Sequence, residues 1–423
     1  MKFLRTFDMP NILINAYACS PSWGSEPGMA WNWISNLAKY CELYIITEGE
    51  WREEIVEAVK VHPYGRNMHF YFNPVPEKVR QMCWNQGDWR FYYYYRQWQK
   101  KTLKIAEQIC WEHKIDVIHQ LNMVGFREPG LLWKIEGPKY VWGPIGGMEN
   151  IPTTYLDGAE LKQNLFCRIK NAINTLQYTY QTNVNKAIKR SDALVAAVKG
   201  VKDVLEKVYH RDSVLINETG CHIDANCPTR KTIEGKKSLD LIWVGKFDFR
   251  KKLDLALRTI AEVKNLDVCL HICGTGSEKQ VAMYKQLATD LHIEDKCVWH
   301  GKVEHSKIQQ MMADSDVFFF TSIMEATSTV TLEAISSCLP VLCFDTCGFG
   351  PLITEKIGRK VPISNPDKSV RDFAEHIRFF YTNRELLNEM SKNEMSYRES
   401  LSWESKAKQI VDIYNKVLSG QTH

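Results

Sequence analysis

Two glutamates with seven residues between them, Glu325 and Glu333, bracket a stretch of small hydroxyl side chains, Thr327, Ser328 and Thr329. The apolar run DVFFFTS before it reads as a strand and LEAISSC after it as a helix. Glu325 therefore falls in a loop and Glu333 inside a helix. A helix start exposes unpaired N–H groups and a partial positive charge, which suits a diphosphate. A carboxylate further along the helix can accept hydrogen bonds from a ribose diol. One in the loop can face whatever is attached beyond the phosphates. The pattern points to a sugar nucleotide, although ordinary helix capping by Ser and Thr accounts for the hydroxyls equally well.

A second group of chemical residues lies upstream, in GKFDFRKKLD (Gly245 to Asp254). Lys246 and Lys251 stand at a strand end and a helix start, where a cation opposes the helix dipole unless an anion is present. Each charge-assisted contact to phosphate is worth about 1.5–3 kcal/mol net. Two of them can stabilise a departing diphosphate. The DxD-like triplet Asp314-Ser315-Asp316 reads as a helix end and a strand start rather than a metal site. The scattered His and Cys residues show no zinc spacing. His119, at the end of the strand-like IDVIHQLN, is a lone histidine of the kind that is usually structural.

These residues need a scaffold to hold them. The chain has 423 residues, room for two ordinary domains. Asn11 to Cys19, the Gly24–Gly28 loop, a helix and ELYIITE repeat the strand–loop–helix–strand order of a doubly wound α/β domain. The order restarts at LDLIWVGKF. The expected division is 1–216, a linker over 217–237, a second domain over 238–402, and a final helical segment over 403–423. The net charge of +4 does not suggest a nucleic-acid binder, and it divides unequally, +5 over residues 1–215 and −1 beyond. Thirteen cysteines without CxxC spacing read as thiols in a reducing compartment. No apolar run is long enough to span a membrane and the start lacks a secretory h-region, so the expectation is a cytoplasmic protein. One segment qualifies this. Lys78 to Lys104 carries seven Lys/Arg against one Asp, among Trp and Tyr residues. That composition suits anionic lipid headgroups, or equally a helix with an aromatic inner face and a solvated basic outer face. A second basic, partly amphipathic stretch spans Leu161 to Arg190.

The ordered set Gly245-Lys-Phe with Lys251, CGTG at 273–276, HGKV at 300–303, ADSDVFFFTS, the Glu325/Glu333 pair and a late SWE resembles the retaining glycosyltransferases of family 4. In the first half, SPSWGSEPG, VIHQLN, FREPGLLW and GPIGG are similar to a bacterial exopolysaccharide and capsule subgroup. The resemblance covers nearly the whole chain. It implies the GT-B fold: two Rossmann-like domains facing across a cleft, with a C-terminal helix crossing back to the first.

It further implies that Lys246, in place of the family's usual Arg, and Lys251 hold the donor diphosphate. Gly24 and Ser25 (the latter replacing a common Gly), Gly274, Thr327, Ser328 and Thr329 would join them there. Val303 would lie against the base, Glu333 would bind the ribose and Glu325 would contact the transferred sugar. His119 matches the first His of a DxxH pattern and carries a catalytic expectation, although the family's second His is Leu121 here. Arg127 and Glu149 would stand on the acceptor side. The implied reaction is metal-independent, retaining hexosyl transfer from a nucleoside-diphosphate sugar, with no other cofactor. The acceptor would be a glycan or a polyprenyl-diphosphate-linked glycan, made at the inner face of the cytoplasmic membrane and with peripheral contact to anionic lipid. The competing reading is a non-catalytic GT-B subunit of a membrane-docked assembly complex.

Overall fold

Short runs of β-branched and aromatic residues, bounded by Gly, Pro and acidic turns, form two all-parallel sheets in the computed structural model. The structure describes residues 9–85, 88–156, 161–223, 228–231 and 235–421. Parts of the expected linker (224–227 and 232–234) and Gln86 and Gly87 of the aromatic-basic segment lie outside the described residues.

The first sheet contains β1 (Asn11–Ala16), β2 (Glu42–Thr47), β3 (Met68–Phe72), β4 (Val117–Asn122), β5 (Lys139–Ile145), β6 (Ala193–Ala196) and β7 (Val214–Leu215), in the order β3-β2-β1-β4-β5-β6-β7. Its crossovers carry α1 (Ser25–Leu37), α2 (Arg52–Val61), α3 (Glu77–Trp84), α4 (Arg90–Glu112), α5 (Leu161–Tyr180), α6 (Thr182–Arg190) and α7 (Lys199–Tyr209). The second sheet contains β8 (Leu239–Val244), β9 (Val268–Cys273), β10 (Cys297–Gly301), β11 (Val317–Phe320), β12 (Val341–Phe344) and β13 (Gly358–Val361), in the order β10-β9-β8-β11-β12-β13. Its helices are α8 (Leu253–Glu262), α9 (Glu278–Asp290), α10 (His305–Asp314), α11 (Thr329–Ser336), α12 (Pro366–Thr382) and α13 (Arg384–Ser400); α14 (Trp403–Leu418) follows and belongs to the first unit.

In both sheets the strand order reverses beside the first strand. That reversal opens a crevice at the carboxyl ends, between β1 and β4 in one unit and between β8 and β11 in the other. Helices cover both faces, so the strands read as continuous apolar runs. On β8, Leu241 and Trp243 enter one core while Ile242 and Val244 enter the opposite one. On β1, Leu13 and Ile14 divide in the same way.

The first unit comprises residues 1–149, 174–219 and 403–423, and the second 150–173 and 220–402. This differs from the division expected from sequence, which placed 150–173 in the first domain. Tyr155 explains the difference. Its buried ring packs on Phe344 and its hydroxyl meets Ser369 Oγ at 2.7 Å. Periodicity cannot reveal such an anchor. Within the first unit α14 packs on α1, with Trp403 edge-on to the fully buried Trp33, and Lys406 Nζ donates to the carbonyl of Thr219 at 2.6 Å.

Two helices depart from ordinary amphipathicity. The aromatic-basic segment is two helices, α3 and α4. Phe91, Tyr95 and Trp98 of α4 are core residues, while Tyr92, Tyr93 and Tyr94 are exposed. Arg90 and Arg96 are paired with Asp88 and Glu128. In α5 the polar side chains face inward: Asn171 bonds both backbone groups of Ile151, and Asn174 donates to the carbonyls of Met148 and Glu149. Leu161, Leu165, Ile169, Ile173, Leu176 and Tyr180 form an exposed stripe at helical spacing.

Candidate active site

The loop after β8 and the loop after β11 meet at the reversal point of the second sheet and are tied together. The Thr321 hydroxyl reaches the carbonyls of Lys251 and Lys252 at 2.8 and 2.9 Å, and the amide of Ile323 donates to the Arg250 carbonyl at 2.9 Å. Within this brace Lys251 Nζ lies 2.7 Å from Glu325 Oε1 and 4.8 Å from the centroid of the Phe320 ring. Ser322 Oγ donates to the same carboxylate oxygen at 2.8 Å. The Glu325 amide donates to Cys347 Sγ at 3.1 Å, which fixes the loop from below. Lys251, Glu325 and Ser322 thus form one cluster in which Lys251 and Glu325 are partly accessible and Ser322 is buried.

Close backbone packing sets the neighbouring edge. Gly274 follows β9, and a Cβ there would sit 1.8 Å from the Gly245 carbonyl oxygen. Any side chain would push the two loops apart. Lys246 is exposed and has no ion-pair partner among the described residues. It lines a cavity of about 440 Å³ with Gln163, Phe247, Asp248, Phe249, Thr275, Gly276 and Gln280. Of the expected donor-binding residues only Lys246 borders this cavity; the Lys251–Glu325 cluster and Glu333 do not line it. Sequence reading missed Thr275 and Gln280. Gln280 had a signal, because Ser277-x-x-Gln280 is a capping box at the start of α9, and its Nε2 donates to the Phe247 carbonyl at 2.6 Å.

The start of α11 corrects one expectation. Thr327 and Ser328 are buried, and Ser328 makes no side-chain capping bond. Their hydroxyls are withdrawn from the surface, and only Thr329 is exposed. Within its first turn the Thr331 amide donates to the Ser328 carbonyl at 3.1 Å. Glu333 is partly accessible and its Oε1 lies 3.1 Å from His305 Nε2, which links α11 to the start of α10. Val303, just before α10, packs against the core beneath it.

The acidic triplet is fully engaged. Asp314 pairs with Lys231 at 2.8 Å. Asp316 is held by Arg230 at 3.2 Å, by Lys236 at 2.9 Å and by the Asp240 amide at 2.9 Å. Asp240, Cys269 and His271 bring potential metal-ligand atoms within 4.8 Å of one another on β8 and β9, but Lys236 also occupies Asp240 at 2.9 Å.

In the first unit the expected site residues divide differently. Gly24 and Ser25 begin α1 and are exposed. Ser25 has φ +54, a conformation that Gly adopts more readily. Glu26 of the same turn accepts from the Val124 amide at 2.7 Å, tying α1 to the loop after β4. His119 has no exposed surface. Its Nδ1 meets the Tyr414 hydroxyl at 2.6 Å and its Nε2 the Gly143 carbonyl at 2.7 Å. Burial lowers its pKa to about 4, so the ring is neutral near pH 7. The catalytic expectation for His119 is therefore corrected: it is a buried structural residue that joins β4, β5 and α14. Arg127 stacks on Phe126 and bonds Gln177 and Asn174. Glu149 accepts from the Gly200 amide at 3.2 Å at the start of α7, and burial raises its pKa to about 7.

Comparison with known proteins bears on the fold and on the second unit. Residues 229–396, a stretch within the second unit, match the family model described as "Glycosyl transferases group 1". An uncharacterized glycosyltransferase of Methanocaldococcus jannaschii is 22% identical over 266 residues, covering 59% of this chain and 65% of the relative. A glycosyltransferase from Rickettsia africae superposes with a TM-score of 0.61 at 18% identity, covering 97% of this chain and 99% of that one. HepE of Anabaena, solved in complex with UDP, superposes with a TM-score of 0.59 at 13% identity, covering 96% and 100%. These are likenesses of fold, and the fold is GT-B: two Rossmann-like units, each on a parallel sheet.

Proposed function

We propose that the protein is a retaining glycosyltransferase that moves a hexosyl group from a nucleoside-diphosphate sugar to a glycan or lipid-linked glycan, without a metal. The observation that carries the reading is the cationic edge at the reversal point of the second sheet. There Lys246 is exposed with no ion-pair partner among the described residues, and Lys251 is held by Glu325 of the loop that leads into α11. On this reading the diphosphate displaces part of the Lys251–Glu325 contact and lies against both lysines and the start of α11. Glu333 takes the ribose hydroxyls, exchanging His305 for them, and Val303 lies along the base. The UDP bound by HepE makes UDP the first donor nucleotide to test.

In the reaction the acceptor hydroxyl oxygen forms a bond to the anomeric carbon on the face the diphosphate leaves. The bond from that carbon to the phosphate oxygen breaks and its electron pair goes to the diphosphate. A phosphate oxygen takes the acceptor proton. Protein groups supply position and charge stabilisation, with Glu325 oriented by Ser322 and Lys251 toward the transferred sugar.

Membrane contact is part of this reading, and α5 supports it more directly than the aromatic-basic segment does. Between Leu161 and Tyr180 there are three basic residues, Lys162, Arg168 and Lys170, and no acidic one. With the exposed apolar stripe this is the composition of a helix lying in a lipid interface. Vesicles containing phosphatidylglycerol are expected to sediment the wild type and to lose most of it when Leu165 and Ile169 become Ser. Equal sedimentation would remove α5 from the account.

The functional test is transfer or hydrolysis measured against a panel of UDP- and GDP-sugars, with product anomeric configuration read by NMR. Retention of configuration from one donor is expected. Inversion would overturn the retaining assignment, and no turnover of any donor would overturn the reading in favour of a non-catalytic subunit.

A further inference from the structure

Three tryptophans from three separate elements meet at the carboxyl edge of the first sheet. Trp23 follows β1, Trp51 stands at the start of α2 and Trp84 ends α3. Their ring centroids are 6.1 Å apart for Trp23 and Trp51, 5.3 Å for Trp23 and Trp84, and 5.6 Å for Trp51 and Trp84. Trp51 is buried and forms the floor. Trp23 is 55% exposed and Trp84 43% exposed.

Exposed indoles are ordinarily a liability, yet these are held in place. Ser20 Oγ accepts from the amides of Ser22 and Trp23 at 3.3 and 3.2 Å. The Trp23 carbonyl rests on α1 where a Cβ on Gly28 would be only 2.0 Å away, so position 28 admits no side chain without moving Trp23. The Trp84 indole N–H donates to Glu50, whose two oxygens lie at 3.0 and 3.1 Å. The Ser22 hydroxyl donates to Glu54. Two aromatic faces are therefore presented in fixed orientation, with carboxylate oxygens at their rim.

We propose that Trp23 and Trp84, rimmed by Glu50 and Glu54, form a subsite that stacks a pyranose ring of the acceptor glycan. A sugar ring offers an apolar face of axial C–H groups to an indole and hydroxyl donors around its edge to carboxylates. This arrangement supplies both, and the fixed rings reduce the ordering penalty of binding. The surrounding charge argues against a lipid surface. Of the five glutamates in residues 48–57, Glu48 and Glu57 are paired with Arg80 and Lys60, but Glu50, Glu53 and Glu54 remain, with Arg52 as the one basic residue in that stretch, a local charge that disfavours anionic headgroups. Trp23 immediately precedes Gly24 and Ser25, so the subsite adjoins the loop expected over the donor diphosphate. The assignment of this sugar as acceptor rests on the glycosyl-transfer reading; the binding of a sugar does not.

The test uses the full chain and saturation-transfer NMR with the methyl glycosides of glucose, galactose, mannose and N-acetylglucosamine. Tryptophan fluorescence is followed alongside, and UDP is titrated into the same samples. At least one glycoside is expected to bind. Trp23→Ala and Trp84→Ala are expected to weaken it about tenfold or more, with UDP affinity unchanged. Trp84→Phe, which keeps a ring and loses only the N–H to Glu50, should retain most of the affinity and guards against a folding defect in the alanine variants. The proposal is overturned if no glycoside binds, or if both alanine variants bind as wild type does. It is also overturned if UDP binding falls with the tryptophans, which would give the cup to the donor. Trp23-dependent quenching by tetramethylammonium or phosphatidylglycerol vesicles, without any by glycosides, would overturn it as well. A wild type that binds a glycoside but no nucleoside diphosphate would uphold the subsite and sink the transfer reading.

Discussion

The two units share one strand order and treat the carboxyl ends of their strands differently. In the second unit charged side chains stay at the surface: Lys246 is exposed, and Lys251, Glu325 and Glu333 are partly accessible in small clusters. In the first unit the titratable candidates have been drawn into the structure. His119 is enclosed between Tyr414 and Gly143, Glu149 faces the start of α7, and Arg127 is tied to Asn174 and Gln177. The first unit instead leaves two indole rings exposed, those of Trp23 and Trp84. On the two proposals made above, the same topology serves a charged ligand in one half and an uncharged, ring-bearing one in the other, and accessibility is what separates the proposed binding residues from the enclosed ones.

The largest expected effect tests the charged half. Lys251→Ala and Glu333→Ala should each lower sugar transfer by about 10²-fold, the scale seen when one preorganised electrostatic contact is removed, with melting temperatures little changed. Wild-type rates in both variants would erase the contrast. The next probes the enclosed half. His119→Ala leaves the Tyr414 hydroxyl and the Gly143 carbonyl without their partner and opens a cavity, so it should cost about 2–3 kcal/mol in denaturant unfolding. Protein that remains folded should keep its turnover per molecule; a catalytic His119 would instead remove activity without that loss of stability.

His119 also predicts a pH dependence. Its folded pKa of about 4 lies below the ordinary histidine value of 6.5, so the unfolded chain binds the extra proton first. Stability should fall as pH drops from about 6.5 to about 4, and the fall should be smaller in His119→Asn. Glu149 has the opposite sign. Its pKa of about 7 lies above the ordinary glutamate value of 4.5, so the folded form keeps a proton that the unfolded chain has lost. Stability should decline as pH rises from about 4.5 to about 7, and Glu149→Gln should remove about 2 kcal/mol of that decline. Matching pH profiles for wild type and Glu149→Gln would mean the carboxyl is not enclosed. The smallest effect concerns Ser25. Replacing it by Gly relieves a left-handed backbone and should raise stability by about 0.5 kcal/mol, since the gain is partly offset by the freedom Gly adds to the unfolded chain.

Much of the fold was readable because both sheets are buried on both faces. Runs such as DVFFFTS and LDLIWVG are strands from their composition alone, and the repeated strand–helix order implies parallel pairing. The placement of Glu325 in a loop and Glu333 in a helix followed from the same pattern. What the chain concealed were contacts between residues far apart in sequence. The bond from His119 to Tyr414 spans 295 positions and turns a catalytic candidate into a structural one. Tyr155 carries its segment into the second unit through Phe344 and Ser369. The burial of Thr327 and Ser328 depends on how α11 seats on its core, which a list of hydroxyl residues cannot express. The tryptophan cup was hidden for the same reason, since its three residues lie in segments that read separately as a loop, a helix start and an aromatic-basic stretch.

The central claim is that the cationic edge of the second sheet binds a nucleoside diphosphate. Calorimetric titration of UDP and GDP into wild type, Lys246→Ala and the control Lys114→Ala, a change at an exposed lysine of the first unit, tests it most directly. At least one nucleotide should bind wild type and Lys114→Ala equally, and Lys246→Ala about tenfold more weakly. Binding of neither nucleotide to wild type, or equal binding by all three proteins, would contradict the account.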